Sequence, residues 1–247
     1  MKLTKRDLQR YGRQILIEGF DKEGQLKLKS STVGILGCGG LGTATSIYLT
    51  AAGIGRLIIV DSDVPDITNL NRQITHYEYD VEKNRNKAIS TKEKLSAFNS
   101  DIKIETYTKN VNEKNIDKVF KNADLIVDCL DNFEDRYMLN SYCVRNCKPL
   151  VHAAVYGFYG QLTTIVPKKT ACLKCIFPSP PPQIEIFPII GVTAGLFGIL
   201  EANEVIKYLT GVGKFLFNEM MLIDLSENEI NKIKTERDKK CPICSIL

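Results

Sequence analysis

The chain lacks any hydrophobic run long enough to cross a bilayer. Its longest apolar stretch, FPIIGVTAGLFGIL at 187–200, is ended by Glu201 and falls short of the roughly 20 residues a membrane helix needs. A secretory h-region is missing too, because the N-terminal MKLTKRDLQRYGRQ is charged throughout. Charge of one sign is scarce: the net charge is +4 over 247 residues, with Lys and Arg dispersed, which argues against a nucleic-acid surface. Histidine occurs only at His76 and His152, the first in a polar segment and the second inside an apolar strand, and both read as structural. No internal repeat is present. With 44% apolar and 25% charged residues, collagen-like, low-complexity and disordered classes are excluded, and the length suffices to bury a core. The expectation is a cytoplasmic protein with neither membrane nor nucleic acid as partner.

Cysteine, by contrast, is plentiful. Without a secretory signal the compartment is reducing, so disulfides are not expected. Four of the eight form two C-x-x-C pairs, CLKC at 172–175 and CPIC at 241–244. Cys172, Cys175, Cys241 and Cys244 together make a full tetrahedral thiolate set for structural Zn²⁺, tying the C-terminus back onto the chain. Redox-active pairs are the alternative, but neither pair follows the opening of a βαβ unit. Cys38, Cys129, Cys143 and Cys147 sit mostly where a small buried hydrophobe suits.

Local patterning gives an α/β chain. Thr4, with Asp7 three residues on, opens a helix expected to run to about Glu18. STVGILG (31–37) reads as a buried strand, 41–53 as a helix ending at Gly53, and RLIIVD (56–61) as a second strand. Helices at 84–99, 113–122 and 133–146 alternate with strands at 102–107, 123–131 and 148–155. A strand at 160–167, a proline-rich connection at 167–190, a helix near 192–209, a strand near 220–225 and a charged stretch complete the chain. The fold class is α/β: a Rossmann-like nucleotide-binding fold with a mostly parallel central sheet, extended by further strands and a C-terminal zinc-tied part. One domain, 1–247, divides into a helical arm (1–30), a nucleotide-binding half (31–155) and a distal half (156–247).

GCGGLG at 37–42 places Gly37, Gly39 and Gly42 in G-x-G-x-x-G spacing, with Gly40 and Leu41 between, and Asp61 lies nineteen residues past Gly42. Strand, loop, helix, strand and acid follow in the order a nucleotide site requires: glycines let the backbone approach phosphate, the helix N-terminus offers N–H groups, and the acid accepts from a ribose hydroxyl. The motif alone leaves a redox dinucleotide and ATP both open. Asp63, Asn69, Arg72 and Gln73 in DSDVPDITNLNRQ (61–73) have no evident use in a dehydrogenase.

Taken with RYGRQ (10–14), Lys87, DCLDN (128–132) and the two C-x-x-C pairs in order, the chain resembles the ThiF/MoeB/HesA family of ubiquitin-activating-enzyme-like adenylyltransferases, most of all the MoeB type, over nearly its whole length. The resemblance implies ATP- and Mg²⁺-dependent adenylation of the C-terminal glycine of a small ubiquitin-like sulfur carrier ending in Gly-Gly, in molybdopterin, thiamine or thiolated-tRNA synthesis. It implies that Arg72 and Lys87 neutralise phosphate charge, that Arg13 enters from the partner of a homodimer, that Asp131 holds Mg²⁺ beside Asn132, and that Asp61 binds ribose. Asn69 and Gln73 would contact phosphate or orient the others, and 156–247 would bind the carrier. Plainer readings stand beside these: Arg13 and Gln14 as the polar face of a helix, Lys87 as a solvated charge, Asp131 as a helix N-cap.

Two positions depart from the family. Many relatives carry a cysteine in the crossover loop, whereas 177–190 has none and roughly Ile184 takes its place. Asn84 stands where a glycine usually precedes the lysine by three residues. The first departure predicts adenylation without an enzyme thioester, the acyl-adenylate passing directly to a separate sulfur donor or amine. Adenylation of a peptide carboxylate, an NAD-dependent oxidoreductase and an inert binding scaffold are the competing readings.

Overall fold

A computed structural model describes residues 2–182 and 188–245. Three short helices come first, α1 (Lys5–Arg10), α2 (Gly12–Ile15) and α3 (Asp21–Ser30). Thr4 caps α1 as expected, its Oγ1 accepting from the Asp7 N–H at 3.1 Å while Asp7 accepts from the Thr4 N–H at 2.7 Å. The expected single helix to Glu18 does not form. Tyr11 breaks it by turning inward, where its hydroxyl accepts from Asn99 Nδ2 at 2.9 Å.

Then follow β1 (Thr32–Leu36), α4 (Gly40–Ala52), β2 (Arg56–Val60), a 3₁₀ turn (Ile67–Asn69), α5 (Glu78–Glu82), α6 (Lys87–Phe98), β3 (Lys103–Tyr107), α7 (Ile116–Phe120), β4 (Leu125–Asp128), α8 (Phe133–Arg145) and β5 (Leu150–Tyr156). The distal part holds β6 (Tyr159–Ile165), α9 (Leu173–Ile176), α10 (Gly191–Thr210), β7 (Glu219–Asp224) and β8 (Glu229–Lys234). One eight-stranded sheet runs β3-β2-β1-β4-β5-β6-β7-β8. Its first five strands are parallel, and β6, β7 and β8 add antiparallel.

The parallel strands are near-continuously apolar because helices cover both faces. Val33, Ile35, Leu57, Ile59, Leu125 and Val127 point to one face, against Leu28, Leu49, Leu95 and Phe197 of α3, α4, α6 and α10. Alternate residues Leu36, Ile58, Ile126 and Leu150 point to the other, against Phe120 of α7 and Leu139 of α8. The outermost strand, β8, is exposed along its whole length. No helix of the described residues is long and apolar enough to cross a membrane.

Candidate active site and metal centre

β1 is hydrogen-bonded to β2 on one side and β4 on the other, so the chain reverses its direction of strand addition there. Beyond the carboxyl ends of such strands an open α/β sheet has its natural binding crevice. The glycine loop lies in it. Gly37 holds φ +102° and a Cβ there would sit 2.5 Å from the Cys129 carbonyl oxygen; a Cβ on Gly42 would sit 1.9 Å from the Gly37 oxygen. Gly39 precedes α4 in extended conformation and brings no side-chain cap, leaving the helix N-terminus to an anion.

Acids and cations ring this loop. Asp61 follows β2; its carboxylate accepts from the Cys38 N–H at 2.7 Å and the Asp63 N–H at 2.9 Å, and burial pushes its carboxyl up from the ordinary value. Each oxygen keeps a further lone pair for a hydroxyl. Lys87 is only 8% exposed, which removes the solvated-charge reading; its Nζ lies 3.4 Å from Asp63 Oδ2. Asn86 makes this possible and escaped the sequence reading. Its amide donates to the Asp61 and Asp63 carbonyls at 3.0 and 3.1 Å, while its Oδ1 caps α6 through Ala88 and Ile89. An asparagine just before a helix was the available signal.

Arg72 donates through Nη1 to the Thr68 carbonyl and Asn71 Oδ1, both at 3.0 Å, and its Cγ lies 3.5 Å from where a Gly40 Cβ would stand. Gln73 is buried beside Gly39 with its Oε1 unpartnered. Asn69 accepts from the Asp66 N–H at 3.1 Å in the 3₁₀ turn. Asp131, three residues past the end of β4, is exposed, and Asn132, not Asp131, caps α8, its Oδ1 accepting from the Asp135 N–H at 2.9 Å.

Arg13 is not brought into this group. It is exposed on α2, and its neighbour Gln14 donates to the Ala52 carbonyl at 2.8 Å, at the far end of α4 from the loop. A helix rising about 1.5 Å per residue separates the two by about 20 Å, beyond the reach of an arginine side chain. His76 is satisfied as expected: Nε2 donates to the Cys38 carbonyl at 2.9 Å and Nδ1 accepts from Ser90 Oγ at 3.0 Å. His152 is buried but only half satisfied, since its Nε2 has no partner.

The two C-x-x-C pairs meet. All four Sγ atoms lie within 4.8 Å of one another, with Cys172–Cys175 at 3.8 Å, Cys172–Cys241 at 3.6 Å and Cys175–Cys244 at 3.4 Å. Four thiolates around one Zn²⁺, with Zn–S bonds near 2.3 Å, stand about 3.8 Å apart. The set therefore has the dimensions of a closed metal centre. Burial pushes the Cys172 and Cys175 thiols up, so their joint ionisation calls for a cation. Of the other cysteines, Cys38, Cys129 and Cys143 are buried and Cys147 is exposed. The crossover position near Ile184 lies outside the described residues.

Loop, acids and buried lysine suit a nucleotide-using α/β enzyme, and the relatives make its class the adenylyltransferases. The chain belongs to the ThiF family, whose profile matches residues 11–243. It is 41% identical over 243 residues to the heterocyst protein HesA of Trichormus variabilis, a match spanning 98% of this chain and 90% of that protein. The sulfur carrier protein adenylyltransferase of Thermus thermophilus is 35% identical over 254 residues, spanning 99% of this chain and 93% of that protein. E. coli MccB, solved with MccA-N7isoASN, superimposes with a TM-score of 0.87 at 28% identity, over 96% of this chain and 74% of that one.

Proposed function

We propose that this enzyme adenylates the C-terminal carboxylate of a small ubiquitin-like sulfur carrier ending in Gly-Gly, releasing pyrophosphate. The observation that carries the reading is the placement of two cations, Arg72 against the glycine loop and Lys87 behind Asp63. Attack of a carboxylate on an α-phosphate pushes two anions together, and fixed cations offset that repulsion as charge develops. Hydride transfer from a nicotinamide dinucleotide builds up no such charge, so that reading leaves the pair unexplained.

In this reading the loop amides at Gly37–Gly42 cradle phosphate, Asp61 accepts from the ribose, and Asn69 and Gln73 orient Arg72 and the phosphates. Asp131, beside Asn132, would hold Mg²⁺, which would supply positive charge to offset that of the departing pyrophosphate. Arg13, remote from its own site, serves the partner site of a homodimer. Zn²⁺ is held by the four-cysteine set as a structural tie. Because 177–190 has no cysteine, the acyl-adenylate passes to a separate sulfur donor or amine without an enzyme thioester.

ATP–pyrophosphate exchange tests the reading. Exchange should depend on a carrier with a Gly-Gly terminus and fall about 10²-fold or more in Arg72→Ala, Lys87→Ala and Asp131→Ala, the scale for preorganised electrostatic groups. Exchange driven by a short peptide instead of a carrier would favour a peptide carboxylate, a reading supported by the likeness to MccB solved with MccA. Wild-type rates in the three variants would remove the site assignment.

A further inference from the structure

β4 ends in a charged residue that never reaches solvent. Asp128 is fully buried, as is His152 on the neighbouring strand β5, and Arg136 of α8 is 4% exposed. Asp128 Oδ2 accepts from His152 Nδ1–H at 2.7 Å, and Arg136 Nε lies 3.8 Å from the same oxygen. The remaining bonds converge on a single residue, Leu130. Asp128 Oδ1 accepts from the Leu130 N–H at 3.1 Å, and Arg136 Nη2 donates to the Leu130 carbonyl. Leu130 is the residue before Asp131. One position earlier, the Cys129 N–H donates to the Leu36 carbonyl at 3.0 Å, at the root of the glycine loop.

Stability does not explain such a cluster well. Desolvating a carboxylate and a guanidinium costs as much as their attraction returns, and apolar side chains of similar volume would fill the space at least as favourably. Nor is the cluster fully satisfied, since His152 Nε2 and Arg136 Nε both lack partners. What these groups do supply is direction: the Leu130 N–H belongs to the peptide before that residue and its C=O to the peptide leading into Asp131, so both planes flanking Leu130 are held. Burial also holds His152 below its ordinary value, which keeps the ring neutral with its one proton on Nδ1.

We propose that Asp128, His152 and Arg136 form a positioning unit that fixes the two peptides flanking Leu130 and thereby aims the Asp131 carboxylate at the divalent cation. This rests on reading Asp131 as the ligand for that cation. Groups orienting a metal ligand from behind typically change metal affinity or activity 10- to 100-fold when removed.

The variants His152→Leu and Arg136→Met remove one grip each while keeping apolar volume. His152→Asn returns an amide N–H near the place of Nδ1. Mn²⁺ serves as the probe, its affinity for the enzyme–ATP complex read by electron paramagnetic resonance without turnover, and Mg²⁺-dependent pyrophosphate exchange is measured alongside. His152→Leu should weaken Mn²⁺ about 10-fold or more, like Asp131→Asn, and His152→Asn should recover most of the loss. In the Asp131→Asn background, His152→Leu should add little, because both act through one ligand. If His152→Leu cannot fold, Arg136→Met carries the same expectation. Folded variants with wild-type Mn²⁺ affinity, or losses that simply add to that of Asp131→Asn, overturn the proposal. A wild type that binds Mn²⁺ in the expected pattern yet shows no exchange with any carboxylate overturns adenylation and leaves the positioning unit standing.

Discussion

Asn84 shows how a residue can depart from a family pattern and keep its geometry. It holds φ +47°, a left-handed conformation that asparagine tolerates better than other residues with a side chain, so it does the work of the glycine usual there. Glu201 carries a prediction of its own. It is buried in α10, its Oε2 accepting from Thr45 Oγ1 at 2.7 Å and lying 3.3 Å from Cys129 Sγ, while Oε1 has no partner. Burial pushes its carboxyl well above the ordinary 4.5, so the folded chain holds it neutral while the unfolded chain ionises. Its contribution is intact below pH 4.5 and is lost as pH rises toward the folded value, by at most about 1.4 kcal/mol per pH unit. Glu201→Gln should therefore gain stability relative to wild type between pH 5 and pH 7.5, measured by denaturant unfolding; a pH-independent difference would contradict the assignment. At this scale the sequence offered candidates wherever chemistry sits in a motif, as at Asp61, Arg72 and Lys87, which the fold gathers around the glycine loop. It was silent on Asn86, and His152 read only as a strand residue, because pairing across strands decides what a buried side chain meets.

Among the elements, β1, α4 and β2 were legible because local and long-range signals agree: apolar runs for a doubly covered sheet, small residues for a helix packed closely on α10, and Gly53 to end it. That closeness is steric. A Cβ on Gly198 would lie 2.4 Å from the Leu41 carbonyl oxygen. The same kind of constraint governs the loop, where Gly42→Ala would drive a Cβ into the Gly37 carbonyl. That variant should lose measurable ATP binding by calorimetry while its far-ultraviolet circular dichroism stays close to wild type; unimpaired binding would mean the loop does not cradle phosphate. α3 and β8 were not foreseen. DKEGQLKLKS carries an internal glycine and little apolar surface, and only Leu28, Gly24 and Gln25 are buried; a Cβ on Gly24 would stand 3.0 Å from the Phe20 ring. EINKIK is an exposed edge whose strand character comes from its pairing with β7.

For the molecule as a whole, the cysteine cluster joins regions far apart in sequence, so a metal held there would tie α9 to the C-terminal segment. Cys241→Ser, or chelation, should lower the melting temperature and expose the C-terminal segment to protease, while Cys147→Ser, outside the cluster, should leave both unchanged. The proposed homodimer, with Arg13 serving the partner's site, predicts complementation. Arg13→Ala and Lys87→Ala, each inactive alone, should recover about a quarter of wild-type exchange when mixed and re-associated, since half the dimers are mixed and each then has one intact site. No recovery would place Arg13 outside the reaction. In the proposed reaction a carboxylate oxygen attacks the α-phosphate of ATP. The decisive measurement is isotope transfer from carrier labelled with ¹⁸O in its C-terminal carboxylate, incubated with ATP and trapped with hydroxylamine. The AMP released should carry ¹⁸O from the carrier; unlabelled AMP, or ADP in its place, would rule the reaction out.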